Sequence, residues 1–253
     1  MILSNETMRR VAPAAFAEDA HPKMSDRYGF VATPLVIGAL AEAGYHPIAI
    51  QQDKAKFRDP GFVQHMVKLR HENDLAILDG QVPEILLTNS HNGKTKTVLR
   101  AGWYRFACCN GLVIGHDNFK IDIQHRRQAE SLAIKFASDL TNGLDRVRMY
   151  MDEWNNITLS QAQCERFATE AAALRFGEKF GAYQPRSILE AHRVEDHGNS
   201  LWKVFNVVQE NLTKGGMTGE NANGRQVRAR GITAIHTNLA FNEKLWNLAE
   251  AFA

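Results

Sequence analysis

Hydrophobic positions along the chain change their period near residue 126. Before it, apolar side chains alternate with polar ones or run in short β-branched blocks; after it they recur at steps of three and four. The β-rich part is clearest over Val82–Ile114, where two Asn-Gly pairs, Asn92-Gly93 and Asn110-Gly111, each sit between runs of strand formers. Asn-Gly accepts the positive φ at both centres of a type I′ turn, so the stretch predicts a three-stranded antiparallel meander. Phe62–Arg70 fits a helix through Phe62, Met66 and Leu69, and a strand through the alternation of Val63, His65, Val67 and Leu69; we assign it as a strand. Pro47–Gln52 reads as a further strand, Asp59-Pro60-Gly61 as a turn, His71–Gln81 as a polar loop, and Asn118–Ile123 as a short strand completing the sheet.

Helical segments bracket this sheet. Thr33-Pro34 predicts a helix start with Thr as N-cap and Pro at the first helical position, followed by the stripe Val36, Leu40, Ala43 and a stop at Gly44. From Gln128, the series Ala129, Ala133, Phe136, Leu140, Leu144, Val147, Met151, Trp154 marks a long amphipathic helix, with Asn142-Gly143 as a candidate break. Thr158 to Gln161 fits a capping box for a helix ending at Phe176-Gly177. A short helix is expected over Ile188–Arg193, and another from Asn199 or Ser200 to Lys214, stopped by Gly215-Gly216. Met217–Arg230 reads as a mobile Gly- and Asn-rich loop, and Asn242 as the cap of a last helix. The fold class is therefore α+β: an antiparallel meander packed with a long amphipathic helix and a helical C-terminal part. Residues 1–24 are expected to form a flexible arm and residues 25–253 a single domain, sheet-rich to 125 and helix-rich from 126.

Composition narrows the setting. A chain of 253 residues that is 44% hydrophobic can bury a substantial core. Its net charge of +2 and pI of about 8.4 give a weak overall field, so binding to a polyanion must come from local patches. The three cysteines lack Cys-x-x-Cys spacing and two are adjacent, which excludes a disulfide framework and fits a reducing, cytoplasmic environment. No apolar run reaches the roughly 18 residues of a membrane span, and no signal-peptide core opens the chain.

Charge and aromatic character coincide on the middle meander strand, Thr95–Cys108. Lys96, Arg100, Tyr104 and Phe106 alternate with Thr97, Leu99, Trp103 and Arg105, so cations and rings share both faces. With Lys94 beside the turn, and Lys214, Arg225, Arg228 and Arg230 in the C-terminal loop against a single acid, Glu220, these residues form the candidate nucleic-acid-binding set. Trp103 and Tyr104 would stack on unpaired bases; as ordinary core side chains they would be buried instead. His91, His116, Asp117 and His125 are the residue types of a divalent-metal site, but their spacing matches no helical ligand pattern, and no metal or cofactor is assigned. Cys108 with His116 or His91 as base is the one nucleophile pairing; a buried structural thiol accounts for it better. Gly215-Gly216 follows a helix where a phosphate loop would precede one.

The order of several short motifs adds a resemblance. His65-Met66 with Leu69-Arg70, Pro83-Glu84-Ile85 with Asn89-Ser90-His91 and Gly93, and Arg105-Phe106 with Cys108 and Asn110-Gly111-Leu112 match in order. Val208-Gln209-Glu210-Asn211, Lys214-Gly215-Gly216 and Leu245-Trp246 continue the series. Through these the chain resembles, from about Arg27 to its end, a family of phage- and plasmid-borne proteins grouped around a domain of unknown function. Cys109 stands where the family pattern favours Thr, and no role is assigned to it. The resemblance transfers no catalytic residues; it implies a mobile-element setting. The element order, with Gly44-Tyr45 leading from a helix into a strand, a basic meander and a long helix, is also similar to that of single-strand annealing proteins, an analogy of order alone.

The expectation is a non-enzymatic accessory protein of a phage or plasmid that binds nucleic acid, single-stranded DNA being favoured, with annealing or recombination as one role it could serve. The alternatives are a protein-binding inhibitor of a host defence system and a metal-dependent hydrolase. No membrane partner is expected, and homo-oligomerisation stays open.

Overall fold

A computed structural model describes residues 2–25, 27–54, 59–75, 81–105, 120–123, 129–221 and 223–253. The chain divides into two compact units, one of residues 1–107 with 116–144 and the other of residues 108–115 with 145–253. The fold is α+β, as the change of period implies.

The first unit is built on a five-stranded antiparallel sheet in simple sequential order: β1 (Tyr45–Gln52), β2 (His65–His71), β3 (Gln81–Asn89), β4 (Thr97–Arg105) and β5 (Lys120–Ile123). Asn92-Gly93 lies in the β3–β4 connection, residues 90–96, with Gly93 at φ +70° and the Asn92 carboxamide accepting from the Lys94 amide; Asn92 does not take a positive φ, so this longer connection is not the two-residue type I′ turn expected. The turn at Asp59-Pro60-Gly61 is held by the Asp59 carboxylate, which accepts from the Gly61 amide at 2.9 Å. Phe62–Arg70 resolves in favour of the strand. Asn110-Gly111 and the strand expected after it lie outside the described residues, and β5 pairs directly with β4.

Register places His65, Asn89 and Thr97 on one side of the sheet, and Arg70, Glu84, Leu86, Val98 and Arg100 on the other. Both sides of β2 and β3 are buried: Val67, Leu69, Ile85 and Leu87 on the first, Met66, Glu84, Leu86 and Thr88 on the second. This explains why β3 reads as a nearly continuous apolar run.

Helix α2 (Thr33–Glu42) starts where expected, but Thr33 does not cap it. Ala32 is the N-cap, and the buried Thr33 hydroxyl lies 2.7 Å from His65 Nε2. Where a mobile arm was expected, Asn5–Val11 forms helix α1, capped by Ser4, and Pro13–Phe16 a 3₁₀ turn. Met8, Ala12, Ala14, Ala15 and Phe16 are buried, and the Leu3 amide donates to the Pro47 carbonyl of β1. Burial of Met8 on the helix and Phe16 on the turn offsets part of the cost of ordering this short segment.

Helix α3 (Ala129–Asn156) runs without interruption through Asn142-Gly143. The second unit packs α4 (Gln161–Phe176), α5 (Pro185–Ile188), α6 (Leu201–Lys214) and α7 (Ile235–Glu250) around Trp154, Phe205 and Trp246, with Trp154 and Trp246 stacked at 4.2 Å. The capping box of α4 sits two residues later than expected: Ser160 accepts from the Gln163 amide, and Gln163 reaches back to the Ser160 amide at 2.9 Å. Pro185 at the first position makes α5 earlier and shorter than Ile188–Arg193. Ser200 caps α6, and Gly215 at φ +70° ends it. Helix α7 begins seven residues before Asn242, which is buried inside it and accepts from the Gln209 carboxamide of α6.

Candidate nucleic-acid interface

The Arg-bearing segment expected as a mobile loop is a small antiparallel hairpin, β6 (Thr218–Glu220) and β7 (Gln226–Arg228), in the second unit. Asn221 builds its turn: the carboxamide oxygen accepts from the Asn223 and Arg225 amides at 3.0 Å each, and Gly224 takes φ +72°. The base of the hairpin is locked by main-chain bonds from Gly216 to the Ala229 carbonyl, from Ala229 to Met217, and from Ile232 to Thr213. Arg175, at the end of α4, donates to the Leu212 carbonyl at 3.2 Å and to the Arg230 carbonyl at 2.9 Å. It thereby ties the last turn of α6 to the segment leaving the hairpin. Burial pulls the Arg175 guanidinium below its ordinary value, with Tyr183 acting in the opposite direction.

Glycine at 219 is required by packing. A side chain there would overlap the Ala182 carbonyl oxygen and the Tyr183 ring, so the hairpin lies directly on the Ala182-Tyr183 backbone. Tyr183 in turn packs on Phe176 with ring centroids 4.4 Å apart. Gly219→Ala is expected to destabilise the second unit by about 1–3 kcal/mol, since a backbone carbonyl cannot rotate away as a side chain would. A lowered midpoint in thermal unfolding checks this; an unchanged midpoint would show that the contact relaxes.

The candidate cations divide between the units. In the first, Lys94 is exposed beside the β3–β4 turn, and Lys96 is exposed but paired with Asp122 of β5 at 3.1 Å. Arg100 is half-buried and donates to the Thr88 hydroxyl at 3.2 Å. The side chains of Trp103, Tyr104 and Arg105 lie outside the described residues. In the second unit, Lys214 pairs with the buried carboxylate of Glu210, which also accepts from Arg193 at 2.9 Å. Arg225, Arg228 and Arg230 are all exposed; Arg228 and Arg230 flank the buried Ala229, and Arg228 Nε donates to the Gly216 carbonyl at 3.1 Å. Arg225 and Arg228 are thus carried by one braced hairpin, and Arg230 by the segment that leaves it.

Beside the hairpin lies a cleft of about 1060 Å³ between the start of α4, the segment from Gln184 to Ala191, the stretch from Asp196 to Asn199, and α6. Buried Cys164, Val204 and Val207 line it, and burial pushes the Cys164 thiol up, away from nucleophile chemistry. Sequence reasoning missed this cleft, and it missed the Phe176–Tyr183 pair. Neither carries a local motif, although the aromatic at 183 directly before Gln-Pro was a weak pointer. Of the metal-site candidates, His116, Asp117 and His125 lie outside the described residues, as does Cys108. His91 is buried between Phe30 and His65, with ring centroids at 4.8 and 5.2 Å. Among the described residues no group of three His, Cys, Asp or Glu side chains is placed to hold a metal ion, and no helix is long and apolar enough to cross a membrane.

Set beside known proteins, this α+β chain belongs to the family defined by the domain of unknown function DUF932, whose pattern matches residues 20–246. It is 34% identical to the UPF0380 protein YafZ of Escherichia coli K12 over 252 residues, covering 98% of this chain and 91% of that protein. It is 33% identical to the UPF0380 protein YfjQ of the same strain over 251 residues, covering 98% and 90%. No solved structure matches it.

Proposed function

We propose that the protein binds nucleic acid, single-stranded DNA above all, and that the β6–β7 hairpin is its principal contact. The observation that carries this reading is the exposure of Arg225 and Arg228 on a hairpin, and of Arg230 just beyond it, where the backbone is fixed by Asn221, Gly219 and Arg175. Guanidinium groups on a braced backbone meet phosphates with less ordering cost than groups on a mobile loop. The buried second face of β2 and β3 favours the hairpin over the sheet as the contact. The resemblance to phage- and plasmid-borne proteins supports a cytoplasmic accessory role in the DNA metabolism of a mobile element, annealing or recombination included.

Fluorescence anisotropy with a labelled single strand at low and moderate salt tests the proposal; no binding at low salt refutes it. Replacing Arg225, Arg228 and Arg230 together with Ala is expected to weaken binding across all sequences and to reduce the salt slope by about 0.7 per lost phosphate contact. Thermal stability should change little, because exposed substitutions usually stay within about 0.5 kcal/mol each.

A further inference from the structure

The hairpin and the neighbouring cleft carry opposite charge within one unit. We propose that the cleft takes the unpaired base of a nucleotide whose phosphate is held outside by Arg228, and that it favours bases with an exocyclic amino group. This rests on the nucleic-acid reading above and specifies the ligand of that site.

The link between the two features is a register pair. Thr218 of β6 is the cross-strand partner of Arg228, and Thr218 also lines the cleft. Directly opposed residues of an antiparallel pair project to the same side with Cβ atoms about 5 Å apart, so Arg228 stands on the side of the hairpin that carries Thr218.

The interior suits a base and excludes a phosphate. Its floor of Cys164, Val204 and Val207 is apolar and buried, a surface for a flat ring. Around it stand Asn199, whose amide nitrogen donates to the Leu159 carbonyl, Gln161, which donates to one oxygen of Glu165 at 2.8 Å, and the carboxylates of Glu165, Glu190 and Asp196, against the single guanidinium of Arg186. Asp196 also has Arg193 at 3.9 Å. The excess of carboxylates repels a phosphate, while ionised carboxylates accept hydrogen bonds and donate none. They therefore reward the amino groups of cytosine and adenine, which thymine and uracil lack. A duplex keeps its bases paired and stacked, so only an unpaired strand offers one to the cleft without the cost of extrusion.

The test uses the full chain and anisotropy with labelled short strands of dC, dA and dT, and a dC strand with scattered abasic sites, at one salt concentration. We expect dC and dA to bind about five-fold or more tightly than dT, the equivalent of one hydrogen bond of about 1 kcal/mol, and the abasic strand to fall toward dT. In Glu165→Gln/Glu190→Gln, whose carboxamides both donate and accept, the preference for dC over dT should collapse while the salt slope stays that of the wild type. Equal binding of dC, dT and the abasic strand by the wild type, with a steep salt slope, would overturn the base site and leave the hairpin reading standing. No binding of any strand at low salt would remove the hairpin reading and the base site with it.

Discussion

Acidification from pH 7 to about 4.5 is expected to remove roughly 2–3 kcal/mol of stability from the first unit through one residue, His65. Its imidazole is buried in a closed relay. The Val63 carbonyl, 3.2 Å from Nδ1, can only accept, so Nδ1 bears the proton and Nε2 accepts from the Thr33 hydroxyl. Thr33 accepts in turn from Asn89 Nδ2 at 3.1 Å, and the Asn89 oxygen accepts from the Thr97 hydroxyl at 2.8 Å. Burial, and then the neighbouring His91, pull the His65 pKa down to about 3, the Val63 carbonyl acting weakly the other way. In the unfolded chain the ring takes up a proton below about pH 6.5. Between that value and about 3 the unfolded state binds the extra proton, so stability falls as pH falls across this window and is level above it. Urea unfolding at both pH values measures the difference. His65→Gln should be less stable at pH 7 but should show a flatter dependence on pH; an equally steep dependence would assign the acid sensitivity to other groups.

The second large effect lies on the opposite side of the same sheet. Arg70 Nη2 is 2.6 Å from Glu84 Oε1, and the two side chains are 4% and 2% exposed. Burial raises the Glu84 pKa, outweighing the attraction of Lys68 and Arg70. Arg70→Met strands the carboxyl group in the interior and is expected to cost about 3–5 kcal/mol. Arg70→Met/Glu84→Leu removes both charges, and should recover much of that loss because well-packed apolar groups replace a buried pair at little cost. Denaturant unfolding of the two single variants and the double yields the coupling energy. If the double variant is as unstable as the sum of the singles, the pair contributes through shape rather than charge.

What could be read from the sequence depended on how local the deciding interaction is. Asn92-Gly93 marks where the β3–β4 connection lies, though not its length or turn type, and Gly177 and Gly215 stop their helices by backbone conformation, so these positions were legible. Thr33 was not: as a residue before Pro it has the composition of an N-cap, yet its hydroxyl is taken by His65 from a strand thirty-two residues away. Asn242 misled for the same reason, its carboxamide being satisfied by Gln209 inside a helix pair rather than by a helix start. Ser160 and Gln163 offered the same pattern as Thr158 and Gln161 two residues on, and composition cannot choose between overlapping capping boxes. The β6–β7 hairpin escaped notice because each strand is three residues long, too short for an alternating pattern, and because its glycines, which signal mobility in sequence, serve here to seat a backbone against Ala182 and Tyr183. The arginines of the site were legible as charges; their bracing by Arg175 and the cleft beside them arise from tertiary packing.

The N-terminal helix has a consequence for handling the protein. β1 is an outer strand of the sheet; it already carries Pro47 and an irregular register between Pro47 and Ala49, and Leu3 and Ala14 occupy polar groups on it, the Pro47 carbonyl and the Gln52 carboxamide. An expression clone shortened to begin near Thr33, as a tail judged dispensable would invite, uncovers that margin together with the apolar surface that Met8 and Phe16 shield. Unpaired strand margins recruit strands from neighbouring molecules, so such a clone would be prone to precipitate, and its insolubility would reflect a missing lid rather than a defective sheet.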